Sequence, residues 1–116
     1  MTEIKLPELD KIEGLIDEIN TMGLKEARLV TELKLAEADI VRYVTSNPSY
    51  LVNGKPPSMD YIKNTYLFTG IDNTLVEKRK ELAETTALLE SKKNILKFYY
   101  VVIEIWRTES ANLRNT

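Results

Sequence analysis

Cysteine and histidine are both absent from this 116-residue chain. Without cysteine there are no disulfides, no thiolate metal sites and no thiol nucleophile. Without histidine the commonest general base and the commonest metal ligand are missing together. Proline and glycine number four each, and no glycine-rich phosphate loop is present. Long apolar runs are missing as well. The longest, Phe98 to Ile103, is far too short to cross a bilayer. The opening "MTEIKLPELDKIEG" carries acids where a secretion signal needs an apolar stretch behind basic residues. A net charge of −2 lacks the basic excess of a dedicated polyanion binder, although a local basic stripe is compatible with it. These absences predict a soluble cytoplasmic protein that is not an enzyme, with no metal, cofactor, membrane or small-molecule substrate.

What is present is helical periodicity. With 43% hydrophobic residues the chain suffices for one domain with a modest core. Leu9, Ile12, Ile16 and Ile19 recur at spacings of three and four, with Pro7 in the first turn and Gly23 as a stop. This predicts a short helix over about 8–21. A second stripe of Leu29, Leu33, Ala36, Ile40 and Tyr43 predicts a helix over 24–46, ended by the proline of "NPS". An ordered loop follows over 47–57, in which Val52-Asn53-Gly54-Lys55 reads as a tight turn. Pro56 and Pro57 limit it to a short strand pair at most. Ser58 is a helix N-cap with Asp60 in the first turn, giving a short helix over 58–68 that Thr69-Gly70 interrupts.

From Asp72 to about Asn112 nothing breaks a helix. Leu75, Leu82, Leu89, Leu96 and Ile103 fall every seventh residue, the ladder of a coiled-coil seam. Three residues beyond each stand Lys78, Thr85, Lys92, Tyr99 and Trp106, so the seam is polar at one end and aromatic at the other. Within "ILKFYYVVIEIWRTE" a strand would point Lys97 and Glu104 to opposite faces among apolar neighbours. A helix places Glu90, Asn94, Lys97, Glu104 and Thr108 on one polar stripe, with Val101 as the single violation, and helix is the reading adopted. Such a helix is roughly 60 Å long at ~1.5 Å per residue. The predicted fold is all-α: an elongated antiparallel helical hairpin in one domain, with a short N-terminal helix and a long C-terminal one.

Several clusters bear on function. Glu77, Glu81 and Glu84 share one helical face, but a cation site needs more convergence than one helix provides, so they read as solvated. Lys78, Arg79, Lys80, Lys92 and Lys93 either track a phosphate backbone, repeated in each subunit of an oligomer, or decorate a surface of alternating charge. Phe98, Tyr99, Tyr100, Val102, Ile105 and Trp106 exceed what one seam covers, which predicts a homo-oligomer joined through them. Tyr43, Tyr50, Tyr61 and Tyr66 should gather round the loop and pin it to the hairpin.

The order of these parts resembles a known family. A long helix ending near a Tyr, the "NGK" turn, "SMDYIK", and a long last helix containing "LKF" and ending in "LRN" are similar to UvsY-type recombination mediators of tailed phages. The resemblance spans Leu29 to Asn115, mostly as layout. It implies an oligomeric, non-enzymatic accessory of phage-type recombination or replication, working in the host cytoplasm. Its partners would be single-stranded DNA and a recombinase or helicase. That family carries basic residues late in the helix before the Tyr. Here the segment reads "LAEADIVRY", so DNA contact would lean on Arg42, Lys34 and the basic clusters of the last helix. The other class compatible with the residues is a purely structural coiled-coil assembly or adaptor module with no nucleic-acid role.

Overall fold

The computed structural model describes residues 5–114. It is an all-α helical hairpin. Helix α1 runs Leu9–Ser46 and helix α3 runs Val76–Arg114, with the short α2, Met59–Ile62, between them. The chain divides into two compact units.

Residues 25–84 form one unit. Here the C-terminal half of α1 packs against the start of α3 and the α2 region. Leu33, Ile40, Val44, Ile62 and Leu75 make a continuous buried cluster, with Ala36, Tyr50, Tyr66 and Leu82 packed against it. Asn47 and Ser58 cap the loop elements: the Asn47 side chain accepts from the Ser49 amide and Ser58 Oγ accepts from the Tyr61 amide. Val52 and Lys55 exchange both backbone hydrogen bonds, at 2.8 and 3.1 Å. Asn53 and Gly54 between them have positive φ, the two-residue turn expected of Asn-Gly. After Ile62 the helix widens into a π-helical turn, Lys63–Leu67, and Gly70 ends it with φ 77°.

Residues 5–24 and 85–114 form the other unit. Its buried side chains are Leu15, Thr85 and Leu89, and Lys92 Nζ reaches Glu18 Oε2 at 2.6 Å.

Two boundaries differ from expectation. The stop predicted at Gly23 does not occur, so the short first helix and the 24–46 helix are one. The reason is phase. Ile12, Leu15, Ile19, Met22, Glu26, Leu29, Leu33, Ala36 and Ile40 alternate spacings of three and four without a break, so one helix carries them all on one side, with Leu15, Leu29, Leu33 and Ile40 buried and the others half-buried. Gly23 keeps an ordinary negative φ, and glycine inside a helix costs only about 1 kcal/mol. That stripe ends on Val44, 1% exposed, rather than on Tyr43, which is 51% exposed. The long helix expected from Asp72 begins at Val76, because Asp72 and Asn73 adopt φ of 55° and 60°. This left-handed region is one that Asp and Asn tolerate and a helix does not. The α3 ladder falls on the seam as expected: Leu75 and Leu89 are buried and Leu82, Leu96 and Ile103 half-buried.

Two glycine substitutions should therefore move stability in opposite directions. A Cβ on Gly23 meets nothing within 4 Å, so Gly23→Ala should raise the unfolding free energy by about 0.5–1 kcal/mol. A Cβ on Gly70 would lie 2.9 Å from the Leu75 amide nitrogen, at a positive φ, so Gly70→Ala should cost about 1–3 kcal/mol. Leu89→Ala should cost about 2–5 kcal/mol, and Leu96→Ala less, being half-buried. Urea unfolding of the variants checks all four.

Candidate functional site

Within neither unit do the cations considered for nucleic acid gather into one patch. Lys78 and Lys92 stand three residues beyond Leu75 and Leu89, so their stems lie along the seam. Their amines reach acids on α1: Lys78 Nζ to Glu32 Oε2 at 3.0 Å and Lys92 Nζ to Glu18 Oε2 at 2.6 Å. Arg42 projects outward beside Asp39, at 3.6 Å. Lys34, Lys80 and Lys93 are exposed and form no ion pair with the described residues.

Arg79 is an organising residue. Its guanidinium donates to the Leu67 carbonyl at 2.7 Å, to the Phe68 carbonyl and to the Glu37 carboxylate. It also lies 4.9 Å above the Phe68 ring. The carbonyls at the end of the α2–π segment have no helical partner of their own, and the planar fork supplies it while pairing with α1. Three elements of the 25–84 unit are tied at one side chain.

The tyrosines form a relay of edge-to-face rings. Tyr43–Tyr50 and Tyr50–Tyr66 have centroids 5.5 Å apart, and Tyr61–Tyr66 6.2 Å. Burial among these neighbours pushes the Tyr50 and Tyr66 phenols above their ordinary range, with Tyr43 and Asp72 adding to the effect at Tyr50 and Tyr61 at Tyr66. The relay fastens the loop, as its composition suggests.

The six α3 residues expected at a subunit interface divide between faces. Tyr99 and Val102 are half-buried and, with Phe98, line a groove that also borders Leu6, Pro7 and Lys11. Phe98 is 63% exposed, and Tyr100, Ile105 and Trp106 are exposed as well. Phe98, Val102 and Ile105 share one face by their spacing of four and three, whereas Tyr100 points away from it. Leu88 and Ile95, exposed on that same face, went unnoticed because each neighbours a ladder residue.

Among the described residues no group of three or more candidate ligands could hold a metal ion. Glu77, Glu81 and Glu84 border a groove shared with Lys78 and Lys80, and Glu81 pairs with Lys25 at 3.4 Å. Among the described residues no helix is long and apolar enough to cross a membrane.

The two kinds of cation are separable by measurement. Arg79→Gln should lower the unfolding free energy by about 2–3 kcal/mol, the worth of hydrogen bonds to a charged group. Arg79→Lys should recover only part, lacking the fork. Lys80→Gln should stay within about 0.5 kcal/mol of the parent. Equal effects at positions 79 and 80 in urea unfolding would refute the assignment. Comparison of the chain with protein-family models, curated proteins and solved structures finds no match.

Proposed function

We propose that this chain is a non-enzymatic helical module that works by self-association, as an oligomeric accessory of phage-type DNA recombination or replication. The observation that carries self-association is the apolar face of α3, with Phe98 63% and Val101 54% exposed. In the 5–24 and 85–114 unit only Leu15 and Leu89 are buried among the large apolar residues, although this unit holds the most aromatic stretch of the sequence. Apolar surface of that extent marks an interaction site. The role in recombination, with single-stranded DNA and a recombinase or helicase as partners, comes from the resemblance to UvsY-type mediators. Lys34, Lys80 and Lys93 are the cations left for phosphate, and an oligomer repeats them in every subunit.

A second reading, a purely structural assembly or adaptor module, is favoured by one observation: Lys78, Arg79 and Lys92 already hold acids of α1.

Light scattering at tens of micromolar should give an oligomer; a folded monomer would overturn self-association. The oligomer should bind single-stranded DNA at about 20 mM salt and release it as salt rises, with a log–log slope of about −0.7 per phosphate neutralised. Reversing Lys34, Lys80 and Lys93 to Glu should abolish binding and leave the oligomer intact. An intact oligomer that ignores single-stranded DNA at low salt would leave the structural-module reading standing.

A further inference from the structure

Helix α3 carries a second heptad stripe, one residue behind the first. Leu88, Ser91, Ile95, Phe98, Val102 and Ile105 recur at spacings of three and four. An offset of one residue rotates this stripe about 100° from the seam that faces α1. It spans about 26 Å at ~1.5 Å per residue. Ala87, Asn94, Val101 and Thr108 flank it, so the stripe itself has no charged residue between Glu84 and Glu109, and the nearest charges are at its borders, Glu90 beside Ala87 and Lys11 with Glu8 beside Phe98 and Val102. Leu88, Ile95, Phe98, Val101 and Ile105 are each 41–63% exposed.

We infer that this stripe is the self-association interface, and that a second copy of the chain docks on it with the two α3 helices antiparallel. This rests on the self-association proposed above and assigns it a face and an orientation.

Charge argues for a copy of the chain as the occupant. A nucleic acid needs a row of cations and an anionic membrane surface needs flanking lysines, whereas the stripe carries no cation and the lysines at one border stand beside Glu8. A copy brings an equally uncharged stripe and leaves no charge buried without a partner. Area agrees. Five side chains at roughly 100 Å² of free surface each give on the order of 500 Å² per chain, more than half of the ~800 Å² that a standard interface buries on each partner.

Side-chain volume decides the orientation. The stripe is small at its N-terminal end, with Ala87, Ser91 and Asn94, and large at the other, with Phe98, Val102 and Ile105. Ala87, Ser91, Asn94, Ile95 and Phe98 line a shallow groove with Glu90 at its rim. A parallel pair would set small against small and large against large, opening a void at one end and splaying the other. An antiparallel pair sets Leu88 against Ile105, Ser91 against Val102 and Ile95 against Phe98. Ser91, the one small residue of the stripe, then faces Val102 rather than a second Ser91, so the antiparallel pair avoids the void that a parallel pair would open there.

The absence of cysteine makes the test direct, since any introduced thiol is the only one in its chain. Ser91→Cys, Val102→Cys and, on the polar face, Lys97→Cys are made singly and oxidised. Ser91→Cys mixed with Val102→Cys should give a covalent dimer at least tenfold more abundant than either variant alone, and Lys97→Cys should stay uncrosslinked. Ser91→Cys linking to itself as well as the mixture does would overturn the antiparallel orientation. An oligomer by light scattering that links through Lys97→Cys and not through the mixture would overturn the face while leaving self-association intact. A monomer by light scattering would overturn both.

Discussion

Helices α1 and α3 meet along seams of residues spaced three and four apart, and the surrounding features take their places from the phase of those stripes. Because the α1 stripe keeps one phase from Ile12 to Val44, the helix has no reason to break at Gly23. Because the α3 ladder places Lys78 and Lys92 beside α1, these lysines reach Glu32 and Glu18. These partly exposed pairs contribute little stability, typically ~0–1 kcal/mol. Their effect is on register, since a slipped pairing would lay lysine stems on leucines and leave Glu32 and Glu18 facing apolar neighbours. Arg79, one residue beyond the seam position of Lys78, is rotated toward the end of the α2–π segment and closes it.

Much of this was legible in the sequence because helical periodicity reports directly which side of a helix is buried. The α3 ladder, the Asn-Gly turn, the Ser58 cap, the break at Gly70 and the tyrosine cluster all follow from local residue chemistry. The misreadings have physical causes. Gly23 looked like a stop because glycine is a poor helix former, yet its penalty of about 1 kcal/mol is small beside the burial of Leu15, Leu29, Leu33 and Ile40 on one continuous stripe. Asp72 looked like a helix start, but Asp and Asn also tolerate the left-handed region, and the turn after Gly70 uses them there.

The candidate site was harder to read than the fold. "EKRKE" is three adjacent cations on paper, but at 100° per residue they face three directions: one along the seam, one toward the α2–π carbonyls and one outward. The acceptors that hold Arg79, the Leu67 and Phe68 carbonyls, lie outside its own helix, so no pattern within the run identifies them. Leu88 and Ile95 were hidden for a simpler reason. Each precedes a ladder leucine, and a single-seam reading assigns the whole apolar run to one face.

The distribution of buried side chains connects stability to assembly. In residues 25–84 the cluster around Ile62 closes on itself, with α2 and the loop covering what two helices alone would leave open. Among the described residues the unit of 5–24 and 85–114 has no such cover, and large residues such as Phe98 and Ile105 are exposed. A two-helix unit has one inner stripe per helix, so a helix with two apolar stripes is complete only when something occupies the second. Association through that stripe would stabilise this unit by mass action, tying its resistance to local unfolding to protein concentration. The 25–84 unit, with its own closed cluster, would gain no such dependence. With a neighbour docked there, the aromatic half of α3 would meet two requirements at once: Leu89, Leu96 and Ile103 on the hairpin seam, and Leu88, Ile95 and Phe98 toward the neighbour. Such a double demand would account for the lack of any buried side chain across Ile95–Glu109, the most apolar stretch of the chain.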